Sequence, residues 1–223
     1  MSSQTYLRGW SVEYSPLPYN RTRIGYIRLH YQMILIGLKG QIGVGKTTAA
    51  DLLAQRFRLK EYAFAEPIKQ MALLLGFTRH ELYGTQDEKL IPNERWGISG
   101  RCFLQRFGTE VCGSFLPTQI PEMENIWIRM FEYFIKDHDG TGVVVGDVRF
   151  LSESSAIRRN GGIIIEIVRA TGMDTSGCSN HRSETEPSQI KADYTIENTG
   201  TLDDMAQRLN MVVCQHYMHE QLS

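Results

Sequence analysis

Residues 37–48 read GLKGQIGVGKTT, at the end of the apolar run MILIGL. Within them Gly40, Gly45, Lys46 and Thr47 satisfy the spacing G-x-x-x-x-G-K-[ST]. Each position has a physical task. Glycine lets the backbone turn tightly and come close to a ligand. Successive N–H groups, those of Gly43, Val44 and Thr48 among them, then face one concavity that attracts anions. A helix starting at the motif adds its positive end. The Lys46 ammonium supplies a point charge for the β- and γ-phosphates, and the Thr47 hydroxyl a ligand for Mg2+. The chemistry implied is binding of a nucleoside triphosphate with Mg2+, on Gly40, Gly43, Val44, Gly45, Lys46, Thr47 and Thr48.

The ion also needs a carboxylate. In VVVGDVRF, Asp147 stands at the carboxyl end of an expected buried strand, where ligands of parallel sheets gather. Thr47 and Asp147 are therefore the expected metal residues, directly or through water. Arg149 follows by two, so its side chain leaves the same face if the strand continues, there to touch phosphates or pair with Glu153. Arg169 and Arg182 bracket a polar loop over 172–185. An arginine on such a loop can close over a transferring phosphate, and Arg182 in SNHRSE, beside His181 and Glu184, is the better placed.

These residues must be held by strands and helices, and the sequence alternates the two. YQMILIGL (31–38), EYAFA (61–65), GVVVGDVRF (142–150), IIIEIVRA (163–170) and ADYTIEN (192–198) read as strands. KTTAADLLAQRF (46–57), PIKQMALLLG (67–76) and MENIWIRMFEYFIKDH (123–138) read as helices, as do LSESSAIRRNGG and TLDDMAQRLNMVVCQHYM (201–218). Ser99 is placed to cap another through GRCFLQRFGTEVCGSF, whereas 78–100 is polar and broken. Such alternation predicts an α/β fold, a parallel sheet with helices on both faces. Trp96 and Trp127 are expected in the core.

The chain has 223 residues, 42% of them apolar, with 24 basic and 25 acidic side chains and a formal net charge of −1. That balance does not suggest a polyanion-binding protein, so no nucleic-acid partner is expected. No apolar run approaches the ~20 residues that span a bilayer, so no membrane partner is expected either. Cys102, Cys112, Cys178 and Cys214 show no C-x-x-C or zinc-ligand spacing and predict reduced thiols in a cytoplasmic compartment. Residues 1–32 carry four arginines and five tyrosines and read as a loosely packed extension, or as sequence before a true start at Met33. The domain is expected over 33–218.

A phosphate-binding loop does not choose among triphosphate enzymes. No N-K-x-D guanine motif is present, and a large motor needs more chain. The segments GLKGQIGVGKTTAADLL, YAFAEPIK, GRCFLQRFGTEVCG, VVVGDVRFLSE and IENTGTL resemble, in this order, the deoxynucleoside monophosphate kinases of phages and large DNA viruses. The resemblance runs from about Met33 to about Leu209. It implies a three-layer P-loop kinase fold with a small lid loop at 172–185 and an acceptor-binding insertion over about 66–140. It implies transfer of the γ-phosphate of ATP to a deoxynucleoside 5′-monophosphate, in host cytoplasm if the source is viral. A homodimer is left open. Lys46, Arg101, Asp147 and Arg182 are then the expected catalytic residues. Arg101 and Gln105, four apart on one helix face, would take the acceptor's phosphate and base. Arg106 points about 100° away from Gln105. Glu66, Lys69 and Arg149 complete the acceptor set, although the family pattern has aspartate where this chain has Glu66. Asn198 and Gly200, in ENTGTL, would pass beside the adenine, with Thr201 capping the last helix. The rival readings are another small-molecule kinase of the same fold (dephospho-coenzyme A or adenylate-kinase-like) and a non-catalytic ATP-binding regulator.

Overall fold

The computed structural model of the protein describes residues 33–138, 140–169 and 186–218. The extension 1–32, the lid expected at 172–185 and its His181, Arg182 and Glu184 lie outside the described residues. Strands β1 (Ile34–Lys39), β2 (Lys60–Tyr62), β3 (Gly142–Val145), β4 (Ile163–Val168) and β5 (Tyr194–Glu197) pair in parallel in the order β2-β3-β1-β4-β5. β1 is apolar along nearly its whole length because both of its faces are covered. Ile36 and Leu38 enter a core with Ala49, Leu53, Met205 and Leu209. Leu35, on the opposite face, joins Phe131, Val143, Val145, Ile157 and Ile164. That alternation follows the strand's two-residue period.

The helices are α1 (Lys46–Phe57), α2 (Glu66–Leu74), α3 (Arg79–Tyr83), α4 (Gly100–Gln105), α5 (Leu116–Gln119), α6 (Ile126–Asp137), α7 (Leu151–Arg159) and α8 (Leu202–Val213). α1 and α8 supply one core, and α6 and α7 the other, giving helix, sheet and helix in three layers. This is the α/β fold expected from the sequence, a parallel sheet with helices on both faces. A third, smaller cluster of Ala72, Phe77 and Leu82, with Phe103 against it, lies under α2 to α4. No helix among the described residues is long and apolar enough to cross a membrane. Cys102, Cys112 and Cys214 are free.

Four local expectations need correction. The strand expected through 150 stops at Val145. The Val148 N–H still reaches Leu38 O at 2.8 Å, but those of Arg149 and Phe150 are taken by the Glu153 carboxylate. Arg149 thus sits on a loop and not on a strand face. The helix capped by Ser99 is α-helical only to Gln105 and widens to π geometry over Arg106–Phe115. There the Gly108 carbonyl accepts the Trp127 indole N–H at 3.0 Å, and a side chain on Gly108 would meet Ile68 Cδ1 at 2.6 Å. The broken stretch 78–100 contains α3, with a Thr78–Glu81 capping box, and a 3-10 turn at Glu88–Leu90. Buried Asn93 braces it, donating to Glu81 Oε1 at 3.0 Å and Gly76 O at 3.3 Å. Trp96 is 51% exposed, its indole N–H on Leu75 O, because the small third cluster cannot cover it.

Candidate active site

β1 and β3 are neighbours, with Gly37 opposite Val145, so their carboxyl ends open side by side. The loop after β1 is the phosphate-binding motif. Gly40 and Gly45 have φ of 144° and 100°, conformations that other residues rarely adopt. A Cβ on Gly40 would lie 2.3 Å from Ile167 O, and one on Gly45 2.6 Å from Asn198 Nδ2, so both positions also need the space. Gly43, φ 82°, faces open space. Val44 is buried, Thr47 is exposed in the first turn of α1, and Thr48 is half-buried. The Lys46 ammonium donates to Gly40 O at 2.7 Å and Gln41 O at 2.8 Å, arching over the loop.

Asp147 faces this loop from the end of β3. Its Oδ1 is 3.4 Å from Lys46 Nζ, and its Oδ2 accepts Arg149 Nε at 2.6 Å. The segment is pinned by two buried carboxylates. Glu153 Oε2 accepts the N–H of Arg149 at 2.7 Å and of Phe150 at 3.0 Å; Glu186 Oε1 accepts that of Leu151 at 2.7 Å. Burial pushes the Glu153 carboxyl up to about 7, against the pull of those two amides. Of the two partners expected for Arg149, a phosphate or Glu153, Glu153 takes its backbone N–H, while the guanidinium reaches Asp147. Glu186 was not foreseen, because it lies 35 residues from the amide it caps.

The residues expected to bind the acceptor lie on α2 and α4, which pack against each other. Glu66, the first residue of α2, accepts Tyr83 OH at 2.7 Å and Gln70 Nε2 at 2.6 Å on Oε1. Lys69 Nζ lies 4.5 Å from the centre of the Tyr83 ring. Burial lowers the Lys69 pKa, Glu66 opposes this, and Lys89 and Arg149 add to it. Arg101 and Gln105 share α4, and Arg101 Nη1 reaches Gln86 Oε1 at 3.4 Å. Arg106, one residue past α4, is exposed. Tyr83, which touches Glu66 and Lys69, was not foreseen: it falls in the stretch 78–100, where no periodicity marks it. Asn198 and Gly200 follow β5. The Asn198 amide donates to Val44 O at 2.8 Å, tying β5 to the phosphate loop, and Gly200 leaves room for Asp204, which closes a capping box with Thr201. Arg169 is exposed just past β4.

Among the described residues no three His, Cys, Asp or Glu side chains cluster for a metal. That donor set still suits Mg2+, which keeps waters and substrate phosphates around one or two protein oxygens. Exposed Thr47 and half-exposed Asp147 are such oxygens, in reach of solvent.

The sequence pattern of the family described as deoxynucleotide monophosphate kinase matches residues 77–209. A curated protein of Acanthamoeba polyphaga mimivirus, provisionally named a deoxynucleotide monophosphate kinase, is 36% identical over 180 residues, covering 77% of this chain and 92% of the relative. The chain belongs to the deoxynucleotide monophosphate kinase family. It is a kinase, and nucleotides are its substrates. Among solved structures, dephospho-CoA kinase from Campylobacter jejuni overlaps 83% of this chain and 98% of its own, at 17% identity and TM-score 0.44. Shikimate kinase from Acinetobacter baumannii, in complex with shikimate, overlaps 83% and 96%, at 16% and 0.44. Likeness at that level says nothing about the acceptor of a deoxynucleotide monophosphate kinase.

Proposed function

We propose that the protein transfers the γ-phosphate of ATP to a deoxynucleoside 5′-monophosphate, giving the diphosphate and ADP. The observation that carries the reading is the meeting of Lys46, Asp147 and Arg149 at the mouth of the phosphate loop, Lys46 to Asp147 at 3.4 Å and Arg149 to Asp147 at 2.6 Å. The loop amides from Gly40 to Thr48 receive the triphosphate. Lys46 exchanges its carbonyl partners for phosphate oxygens and neutralises charge as the γ-group moves. Thr47 and Asp147 would hold Mg2+, which would supply positive charge to the triphosphate. Asn198 and Gly200 flank the nucleotide end of the loop.

On the other side Arg101, with Gln105 on the same helix face, positions the acceptor's phosphate and base; Glu66 and Lys69 line its sugar and phosphate. An acceptor phosphate oxygen attacks the γ-phosphorus, and the bond to the β–γ bridging oxygen breaks. The attacking acceptor oxygen is largely ionised near neutral pH, so positioning and electrostatics carry the rate without a strong base. Arg182 would add charge from the loop 172–185.

The test is turnover with ATP, Mg2+ and each of the four common deoxynucleoside monophosphates and their ribose forms. The unmodified chain should favour at least one deoxy acceptor. Lys46→Ala should lower kcat by about a thousandfold, as expected when a group aimed at developing charge is removed. Near-normal turnover by that variant would refute the assignment.

A further inference from the structure

The turn between α3 and α4 is built with more care than a linker requires. Glu88 Oε2 accepts the Thr85 N–H at 2.6 Å, and the Glu88 N–H returns to Thr85 Oγ1 at 3.3 Å. A side chain on Gly84 would come within 2.3 Å of Glu88 Oε2, so the closure depends on glycine there. Gln86 receives Arg101 Nη1 at 3.4 Å, which lays the turn against the acceptor face of α4.

Lys89 rides on this turn. It is half-buried, and among the described residues its ammonium has no hydrogen bond or salt bridge. Burial lowers its pKa; Arg149 and Arg101, of like sign, add to this, and Asp147 and Glu88, of opposite sign, oppose it. Neither carboxylate is available to it alone. Asp147 is engaged by Lys46 and Arg149. Glu88 closes the turn and faces His80 at 3.7 Å. A partly desolvated ammonium beside two guanidinium groups weakens the folded state, and an arriving dianion would relieve it.

We propose that Lys89 is an acceptor-binding residue that grips the 5′-phosphate of the monophosphate together with Arg101 and Arg149. The assignment rests on the reading of the acceptor given above. It makes the turn at 85–90, and not only the motif segments, part of the substrate site.

Lys89→Met and Lys89→Arg, in the full chain, test it with the deoxynucleoside monophosphate that the unmodified chain phosphorylates fastest. Losing one charge-assisted contact should raise KM for that acceptor about 10- to 100-fold in Lys89→Met. KM for ATP should stay within about twofold, since only the acceptor touches Lys89. Lys89→Arg should recover most of the loss. An unchanged acceptor KM in Lys89→Met, with the unmodified chain active, overturns the role of Lys89 and leaves the kinase reading intact. A parallel rise in KM for ATP, or a drop in thermal midpoint that arginine does not repair, shows a structural role and overturns it as well. If the unmodified chain phosphorylates no deoxynucleoside monophosphate, the acceptor reading fails and this assignment fails with it.

Discussion

Glu153 shows how a single buried side chain fixes the geometry of the site. Its carboxylate takes two consecutive amides that β3 would otherwise extend through, and so turns the chain after Asp147. The charge is held at a loss: burial raises the carboxyl to about 7, with Asp147 adding to the rise and the amides and Arg149 opposing it. A raised folded-state pKa means that the folded protein binds this proton more tightly than the unfolded chain does. The stabilisation is then complete below the ordinary value of 4.5 and is lost as pH rises toward about 7. Glu88 and Asp204, held low by the N–H groups of Thr85 and Thr201, lose their contributions only at more acidic pH, so the windows do not overlap. Glu153→Gln keeps an oxygen for both amides and removes the titration. Urea denaturation at half-unit steps from pH 4.5 to 8 should show the wild type losing stability relative to this variant, by at most about 1.4 kcal/mol per pH unit up to pH 7. Parallel curves for the two proteins would show that Glu153 does not titrate in this range. At this scale the sequence spoke clearly where spacing alone sets chemistry, as in Gly40 to Thr47. It was silent on Glu186 and Tyr83, whose partners come from distant segments, and on Lys89, whose like-charged neighbour Arg149 does too.

At the scale of elements, the phosphate loop is shaped as much by β5 as by its own glycines. Asn198 stands just past β5, and its amide holds Val44 O at 2.8 Å. Gly45, which caps α1 at φ 100°, is packed so close that a methyl group there would strike the same amide. By motif resemblance Asn198 belongs beside adenine; by geometry it braces the backbone that faces the phosphates. The two roles differ in what they recognise. Asn198→Ala should raise the dissociation constants of ATP and of inorganic tripolyphosphate alike, by about 5- to 20-fold, as for a lost neutral hydrogen bond that also loosens its loop. A loss confined to ATP, with tripolyphosphate unaffected, would return Asn198 to the base. Isothermal titration with Mg2+ present reads both. Element identity was legible because strand and helix patterns are local: all five strands were foreseen, and α1 matches its expected span, Lys46–Phe57. Where tertiary contacts override the local pattern, the reading failed. The widened helix after Gln105 meets Trp127 and Ile68 at Gly108, contacts that no local window contains.

The whole molecule divides its stability unevenly. Two large cores clamp the sheet from both sides, with Leu35, Ile36, Leu38, Val143 and Ile165 wholly inaccessible. The acceptor side, α2 to α4, rests on the small cluster of Ala72, Phe77 and Leu82, and leaves Leu74, Ile91 and Trp96 exposed. The three-layer plan could be read from alternating patterns, since burial of both sheet faces imposes them on every strand. The satellite could not, because its order comes from polar braces such as Asn93 and Glu81. Local opening is cheapest where little apolar surface is buried. Amide hydrogen exchange should therefore show β1, β3 and β4 exchanging only through global unfolding, and 79–105 exchanging at least about a hundredfold faster. The acceptor side is also where a monophosphate would bind, so ligand and flexibility should meet there. Adding the acceptor should slow exchange at 79–105 while leaving 40–50 little changed, and Mg2+ with ATP should do the reverse. If ATP alone protected both segments equally, the two halves of the site would be one cooperative unit, and the independence of the satellite would be disproved.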